Sequence, residues 1–205
     1  MKLLELFSGT KSVSKAVGYK FQEVVSLDSL NKYSPTICSD ILTWDYKKYP
    51  SGYFDAIWAS PPCTEYSILK NNTGMDTNID LADSIVLRVF EILDYFKPRI
   101  WFIENPHSSL LKKRAFMELL PFYDVDYCRF SDWGYKKKTR IWTNIEYRDM
   151  LCKGQGKCEN MISRFHKVSF GGQGRPKDHI YQSCPAGDTA YRIPEKLIKD
   201  LFESC

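Results

Sequence analysis

The feature that most constrains this chain is a repeated arrangement: short apolar runs, each ending in a polar or reactive residue. Leu3–Phe7 passes into Ser8-Gly9-Thr10, Glu23–Leu27 ends at Asp28, and Thr36–Ser39 ends at Asp40-Ile41. Phe54–Ala59 ends at two prolines before Cys63, and Ile100–Ile103 ends at Glu104. Helical segments lie between them. One covers Ser12–Val17; another starts at Leu81, carries the apolar stripe Leu81, Ile85, Val89, Leu93 and Phe96, and is stopped by Lys97-Pro98. Strands alternating with helices predict an α/β fold built on a doubly wound, mostly parallel, Rossmann-like sheet. Ligands in such sheets bind at the carboxyl ends of the strands, so the polar run-ends are expected along one rim.

The remaining segments read less regularly. Residues 66–80 are rich in Asn, Gly and Asp and predict a loop, which fits an ordinary disordered connection as well as a lid with Gly74 as its flexible point; Lys70 fits plain solvation as well as a phosphate contact. A basic helix is expected over Leu110–Leu120, then a hairpin-like pair around Val125–Phe130 and Arg140–Ile145. From Asp149 the chain becomes Gly-rich, basic and irregular, and a short amphipathic helix over Tyr191–Phe202 closes it. The expected organisation is a main α/β domain over 1–148 and a smaller irregular region over 149–205, within one compact unit.

Bulk composition excludes several classes. With 43% apolar and 26% charged residues the chain has ordinary soluble globular character. No run approaches the roughly 18 apolar residues of a membrane span, and the first residues lack the charged-apolar-small order of a signal peptide. The expectation is an intracellular protein with no membrane partner, cytoplasmic or nucleoid-associated, or nuclear in a eukaryotic or viral-host setting. Seven scattered cysteines are an odd number and predict reduced thiols over a disulfide framework. A net charge of +4 permits a nucleic-acid partner without demanding one.

Taken singly, the run-ends are ambiguous. Gly9 fits a plain turn as well as a loop that brings backbone N–H groups close to a ligand. Asp28 and Asp40 fit turn caps as well as acids that accept from ribose hydroxyls. Cys63, on the stiff mount Pro61-Pro62, is either a small buried hydrophobe or a held nucleophile. Together, the loop and the two acids have the layout of a nucleoside-cofactor pocket.

Three stretches in this order, LLELFSGTKSVSKA, SPPCTEYS and FIENP, resemble motifs of the C5-cytosine DNA methyltransferases. The resemblance implies an S-adenosylmethionine loop at Phe7-Ser8-Gly9, the catalytic Pro-Pro-Cys at Pro61-Pro62-Cys63, and the Glu-Asn motif at Glu104-Asn105-Pro106. Thr64 stands where relatives usually carry Gln. WGYKKKTRIW is similar to the family's Gln-x-Arg-x-Arg hairpin, with Lys136, Lys138 and Arg140 at matching positions. Lysine supplies charge there but not a planar bidentate fork, so Arg140 is the closer match.

What the resemblance implies chemically can be stated by residue. Cytosine C5 needs a nucleophile at C6 before it accepts a methyl group, and a thiol is soft enough to add and leave again. Cys63 is the expected nucleophile, Glu104 the acid at N3, and Arg140 and Lys138 the neighbouring cations that orient the base and favour the thiolate. Phe7, Ser8, Gly9, Thr10, Asp28, Asp40, Ile41 and Pro61 are the expected cofactor contacts. Lys136, Lys137, Lys138 and Arg140 are the expected DNA contacts, helped by Lys112, Lys113 and Arg114, with the target cytosine flipped out of the duplex. S-adenosylmethionine is the implied cofactor, with no metal needed for the chemistry. The implied biology includes restriction-modification. The same chemistry on RNA or a cytosine nucleotide stays open, as does a silent nucleic-acid-binding subunit.

The resemblance is strong over residues 1–145 and weak beyond. So short a recognition region implies low selectivity, a very short target, or a specificity partner or second copy. Cys152, Cys158 and His166 lie in this stretch, with His179 and Cys184 further on. The Cys-x5-Cys spacing is wider than that of usual zinc knuckles, so free thiols with a surface imidazole are the expectation and a small zinc staple the alternative.

Overall fold

The computed structural model describes residues 1–67, 78–169, 182–183 and 187–205. Its centre is a seven-stranded sheet of β1 (Lys2–Leu6), β2 (Glu23–Asp28), β3 (Ile37–Cys38), β4 (Ala56–Ala59), β5 (Ile100–Pro106), β6 (Phe122–Asp126) and β7 (Lys138–Thr143). The spatial order is β3-β2-β1-β4-β5-β7-β6. β1 pairs in parallel with β2 on one side and β4 on the other, β2 with β3, and β4 with β5; β7 runs antiparallel to both neighbours. Strand order reverses between β1 and β4, which is the crevice position for a ligand in a doubly wound sheet. The predicted fold class is the one observed.

Both faces of the central strands are covered, which explains their nearly unbroken apolar runs. Leu4, Leu6, Ile57, Ala59 and Ile103 face α2 (Ile79–Phe96), where Ala82, Val86, Val89, Ile92 and Phe96 are buried. Leu3, Ala56, Trp58 and Phe102 face α1 (Ser12–Val17) and, after the short α3 (Asp188–Tyr191), the closing α4 (Glu195–Glu203), through Val13, Val17, Leu197, Ile198 and Leu201. Among the described residues no helix is long and apolar enough to cross a membrane.

Several local expectations change. The α2 stripe drifts with the true helical period: Leu81 is 44% exposed, and Ala82 and Val86 take the buried places, because strict steps of four overshoot a 3.6-residue turn. Asn78 caps this helix by accepting from Leu81 N at 3.0 Å, and Lys97 ends it in the left-handed conformation before Pro98. The expected helix over 110–120 is instead two 3-10 turns, Leu110–Lys113 and Ala115–Met117, separated by extended Arg114. The closing helix splits into α3 and α4 because Arg192 is extended and Pro194 cannot donate inside a helix. The hairpin arms begin earlier than expected, at Phe122 and Lys138. The lid reading, with Lys70 and Gly74, lies outside the described residues, as do His179 and Cys184.

α1 lacks a side-chain cap of its own. Glu5, 2% exposed on β1, replaces one: its carboxylate accepts from Val13 N at 3.1 Å and Ser14 N at 3.0 Å. Glu5→Ala strands two first-turn N–H groups, so stability should fall by about 1–3 kcal/mol. Thermal melting is the check, at about 2–4 °C per kcal/mol for a chain of this size; an unchanged Tm would show that Glu5 does not hold α1.

Candidate active site

The rim at the carboxyl ends of β1, β2, β4 and β5 gathers most of the residues singled out in the sequence. At β1, the loop Phe7–Lys11 places three residues in the left-handed region: Phe7 (φ 57°), Gly9 (φ 44°) and Lys11 (φ 58°). Two of these are not glycine, which costs about 1–2 kcal/mol each. Specific bonds hold the turn: Ser8 N to Leu27 O at 3.0 Å, Lys11 N to Ser8 O at 2.7 Å, and Gly9 N to Asp28 Oδ2 at 2.8 Å. Asp28 also accepts from Leu30 N at 2.8 Å. It therefore ties the β1 and β2 ends together while each oxygen keeps a further acceptor site.

Asp40 lies two residues past β3 and is exposed; it caps its own turn by accepting from Leu42 N at 2.9 Å, while neighbouring Ile41 is buried in the core. The hydroxyl of Ser8 is buried with no hydrogen-bond partner. An orphan buried hydroxyl at Ser8 beside an acid with spare acceptor sites at Asp28 fits the polar groups of a nucleoside cofactor. Beside this loop a hollow of about 400 Å³ is lined by Thr10, Ser12, Lys15, Trp133, Asp188 and Arg192, among others. Asp188 accepts from Tyr33 OH at 2.5 Å and Lys32 Nζ at 3.1 Å.

Cys63 sits beyond the end of β4, partly buried, and Glu104 lies within neighbouring β5, 6% exposed. The strands are in parallel register with Ala59 opposite Ile103, so their ends arrive side by side. Asn105 fixes the approach: it is 1% exposed, and its Nδ2 donates to Pro61 O at 2.9 Å. Behind Cys63 the loop is bolted down again, with Tyr66 OH donating to Asp83 at 2.8 Å and Asp83 paired with Arg114. Glu104 accepts from the buried phenol of Tyr127 at 3.1 Å. The Cys63 thiol is pushed up by burial and by the Glu104 carboxylate, while the Lys137 ammonium pulls it down.

Lys137 is thus the cation that acts on the thiol, while Lys138 and Arg140, the motif's candidates, lie against Asp124. Side chains alternate across β7, and Glu104 stands opposite Ile141 whereas Arg140 stands opposite Asn105 and Asp124. Arg140 and Lys138 accordingly meet on Asp124, at 2.8 Å and 3.1 Å, with His107 at 3.3 Å. Those cations hold the Asp124 carboxyl below its usual range despite partial burial. Lys137 turns inward, 5.0 Å from the Tyr127 ring, and donates to Ala190 O at 3.1 Å. Lys136 is exposed and pairs with Asp126 at 3.5 Å.

Two residues here escaped the sequence reading. Tyr127 looks like an ordinary strand aromatic, and only the fold shows its hydroxyl on Glu104. Cys128 joins Cys152, Cys158 and His166 in one cluster away from the thiol Cys63; nothing in its spacing marks it, since it lies far upstream of the other three.

The family model for C-5 cytosine-specific DNA methylases matches residues 1–147. A Frog virus 3 (isolate Goorha) protein named as a DNA (cytosine-5)-methyltransferase is 34% identical over 228 aligned positions, covering all of both chains. Two solved structures share the fold. One is an E. coli prophage protein described as a DNA modification methyltransferase (TM-score 0.51, 12% identity, 72% of this chain and 49% of the other). The other is the Entamoeba histolytica methyltransferase EhMeth (TM-score 0.50, 19% identity, 69% and 52%). The chain spans about half the length of these two structures. On the family match and the full-length relative, this chain belongs to the C-5 cytosine-specific DNA methylase family.

Proposed function

We propose that the chain transfers a methyl group from S-adenosylmethionine to C5 of cytosine in DNA, with Cys63 as covalent nucleophile. The observation that carries this reading is the meeting of Cys63 and Glu104 at adjacent strand ends, fixed by Asn105 on Pro61, in a member of this family. Phe7, Ser8, Gly9, Thr10, Asp28, Asp40, Ile41 and Pro61 would hold the cofactor. When bound, it supplies an electrophilic methyl group on a sulfonium.

The chain's own residues do the rest. The Cys63 thiolate forms a bond to cytosine C6, and the C5–C6 π pair becomes available at C5 while charge builds at N3. In its protonated form Glu104 meets that charge by donating a hydrogen bond or its proton at N3, with Tyr127 fixing its carboxyl group. After C5 gains the methyl group it loses its proton to a base, the pair returns to C5–C6, and the C6–S bond breaks to release thiolate. Lys137 favours the thiolate at both ends of this cycle. Removing the target base from the stack costs a few kcal/mol. Exposed Lys136, with Lys137, Lys138 and Arg140 behind it, supplies positive charge toward the DNA backbone. The Asp124 cluster gives Arg140 a second part, as a brace between β6 and β7.

Labelled cofactor offered in parallel with duplex DNA, single-stranded DNA, RNA and dCMP tests the reading. Transfer to DNA, with 5-methylcytosine as product, is expected; transfer only to RNA or dCMP would replace the substrate, and binding without transfer would indicate a silent subunit. Cys63→Ala should abolish transfer, and Glu104→Gln should lower kcat about 10²–10⁴-fold. Tyr127→Phe, which removes only the positioning bond, should cost about 10-fold to 100-fold in kcat with KM for DNA little changed. Wild-type rates in Glu104→Gln would contradict the assigned acid.

A pH dependence follows from the thiol. Because burial and Glu104 raise the Cys63 pKa, the single-turnover rate should climb with pH on the alkaline side of an ordinary cysteine. Removing a cation disfavours the thiolate, so Lys137→Gln should move that inflection to still higher pH. An inflection that stays put or moves down would exclude Lys137 as the thiol's electrostatic partner.

A further inference from the structure

We propose that Cys128, Cys152, Cys158 and His166 form a closed zinc site that staples residues 149–169 to the catalytic sheet. The segment needs some such support. Between residues 151 and 169 the only buried residues are Asn160 and His166, both polar, so this stretch has no apolar core of its own. Its regular structure amounts to β8 (Met161–Ile162), β9 (Phe165–His166) and β10 (Val168–Ser169), with a glycine turn at Gly154 and Gly156 before them. Small irregular segments of this kind are commonly held by a metal.

The four candidate ligands come from separate places in the chain. Cys128 lies in the 3-10 turn after β6, and Cys152 follows Met150, whose backbone pairs with β6. Cys158 closes the glycine turn, and β9 presents His166. Their three sulfurs and one ring nitrogen all lie within 4.8 Å of one another. A tetrahedral centre with Zn–S about 2.3 Å and Zn–N about 2.0–2.1 Å has S···N edges of about 3.5–3.6 Å. The observed separations from His166 Nε2 are 3.5 Å to Cys152 Sγ and 3.7 Å to Cys158 Sγ.

Cys152 and Cys158 both converge on the same His166 nitrogen, which has one proton or one in-plane lone pair to offer them. A shared cation resolves the crowding. Gly154 N donates to Cys152 Sγ at 3.5 Å. Asn160 forms an outer layer. It donates to Cys128 O at 3.0 Å and Ser131 O at 2.8 Å, and accepts from Gly134 N at 2.9 Å. Three thiolates with one imidazole select zinc among common ions, and four protein ligands leave no open position for chemistry. The ion is thus structural. It would fix the backbone at Cys128, one residue from the phenol that holds Glu104; that link alone rests on the proposed function.

The test uses the full chain, purified without a metal-affinity step and dialysed against metal-free buffer. Elemental analysis should find about one zinc per chain, lost in Cys158→Ser and in His166→Ala but kept in Cys38→Ser and Cys205→Ser. Because ligand variants can misfold, the wild-type chain is also stripped with chelator and titrated with cobalt. Sulfur-to-cobalt charge transfer and tetrahedral d–d absorption should appear at one equivalent, and zinc should bleach them. Zinc content near zero in folded protein, with no cobalt spectrum, would overturn the proposal. So would equal metal content in Cys158→Ser and Cys205→Ser.

Discussion

The bond from Asn105 to the carbonyl of Pro61 is the contact on which the candidate site depends. Parallel pairing of β4 with β5 delivers both carboxyl ends to one rim, but pairing alone does not aim the chain beyond those ends. Past Ala59 the chain meets two prolines, which have no N–H to continue the ladder and have φ already fixed. Its direction is then set by one buried side chain on the neighbouring strand. That side chain is adjacent in sequence to Glu104, so one amide orients the thiol's mount relative to the acid.

Electrostatics at that meeting point are opposed, and on balance they favour the neutral thiol. Burial and the Glu104 carboxylate disfavour the Cys63 thiolate, while Lys137 favours it. The inward-turned lysine is the cation that opposes them. The period of two along β7 separates this cation from Lys138 and Arg140, which neutralise Asp124 instead. A basic hairpin that reads as one cluster in sequence therefore divides in space into an exposed charge, an inward cation and a brace.

The parts of the fold legible in sequence were those governed by local pattern. Strand-helix alternation and polar run-ends pointed to the doubly wound sheet and to the rim that holds Asp28, Cys63 and Glu104. The misplaced features depended on information that is not local. Leu110–Leu120 has helical composition, yet extended Arg114, paired with Asp83 beneath the Cys63 loop, breaks it into turns. The register of β7, which sends Lys138 and Arg140 to Asp124, is set by its partners β5 and β6. Cys128 carries no spacing signal toward Cys152, Cys158 and His166, because β6 and the segment running alongside it create that proximity.

The central claim is that Cys63 forms a bond to the base. Duplex DNA containing 5-fluorocytosine tests it most directly, because fluorine at C5 cannot leave as a cation and the C6–S bond is trapped after methyl transfer. With S-adenosylmethionine present, peptide mass spectrometry should find the methylated 5-fluorocytosine adduct on Cys63 and nowhere else. A preparation that methylates ordinary DNA but yields no adduct, or an adduct on another cysteine, would contradict the account.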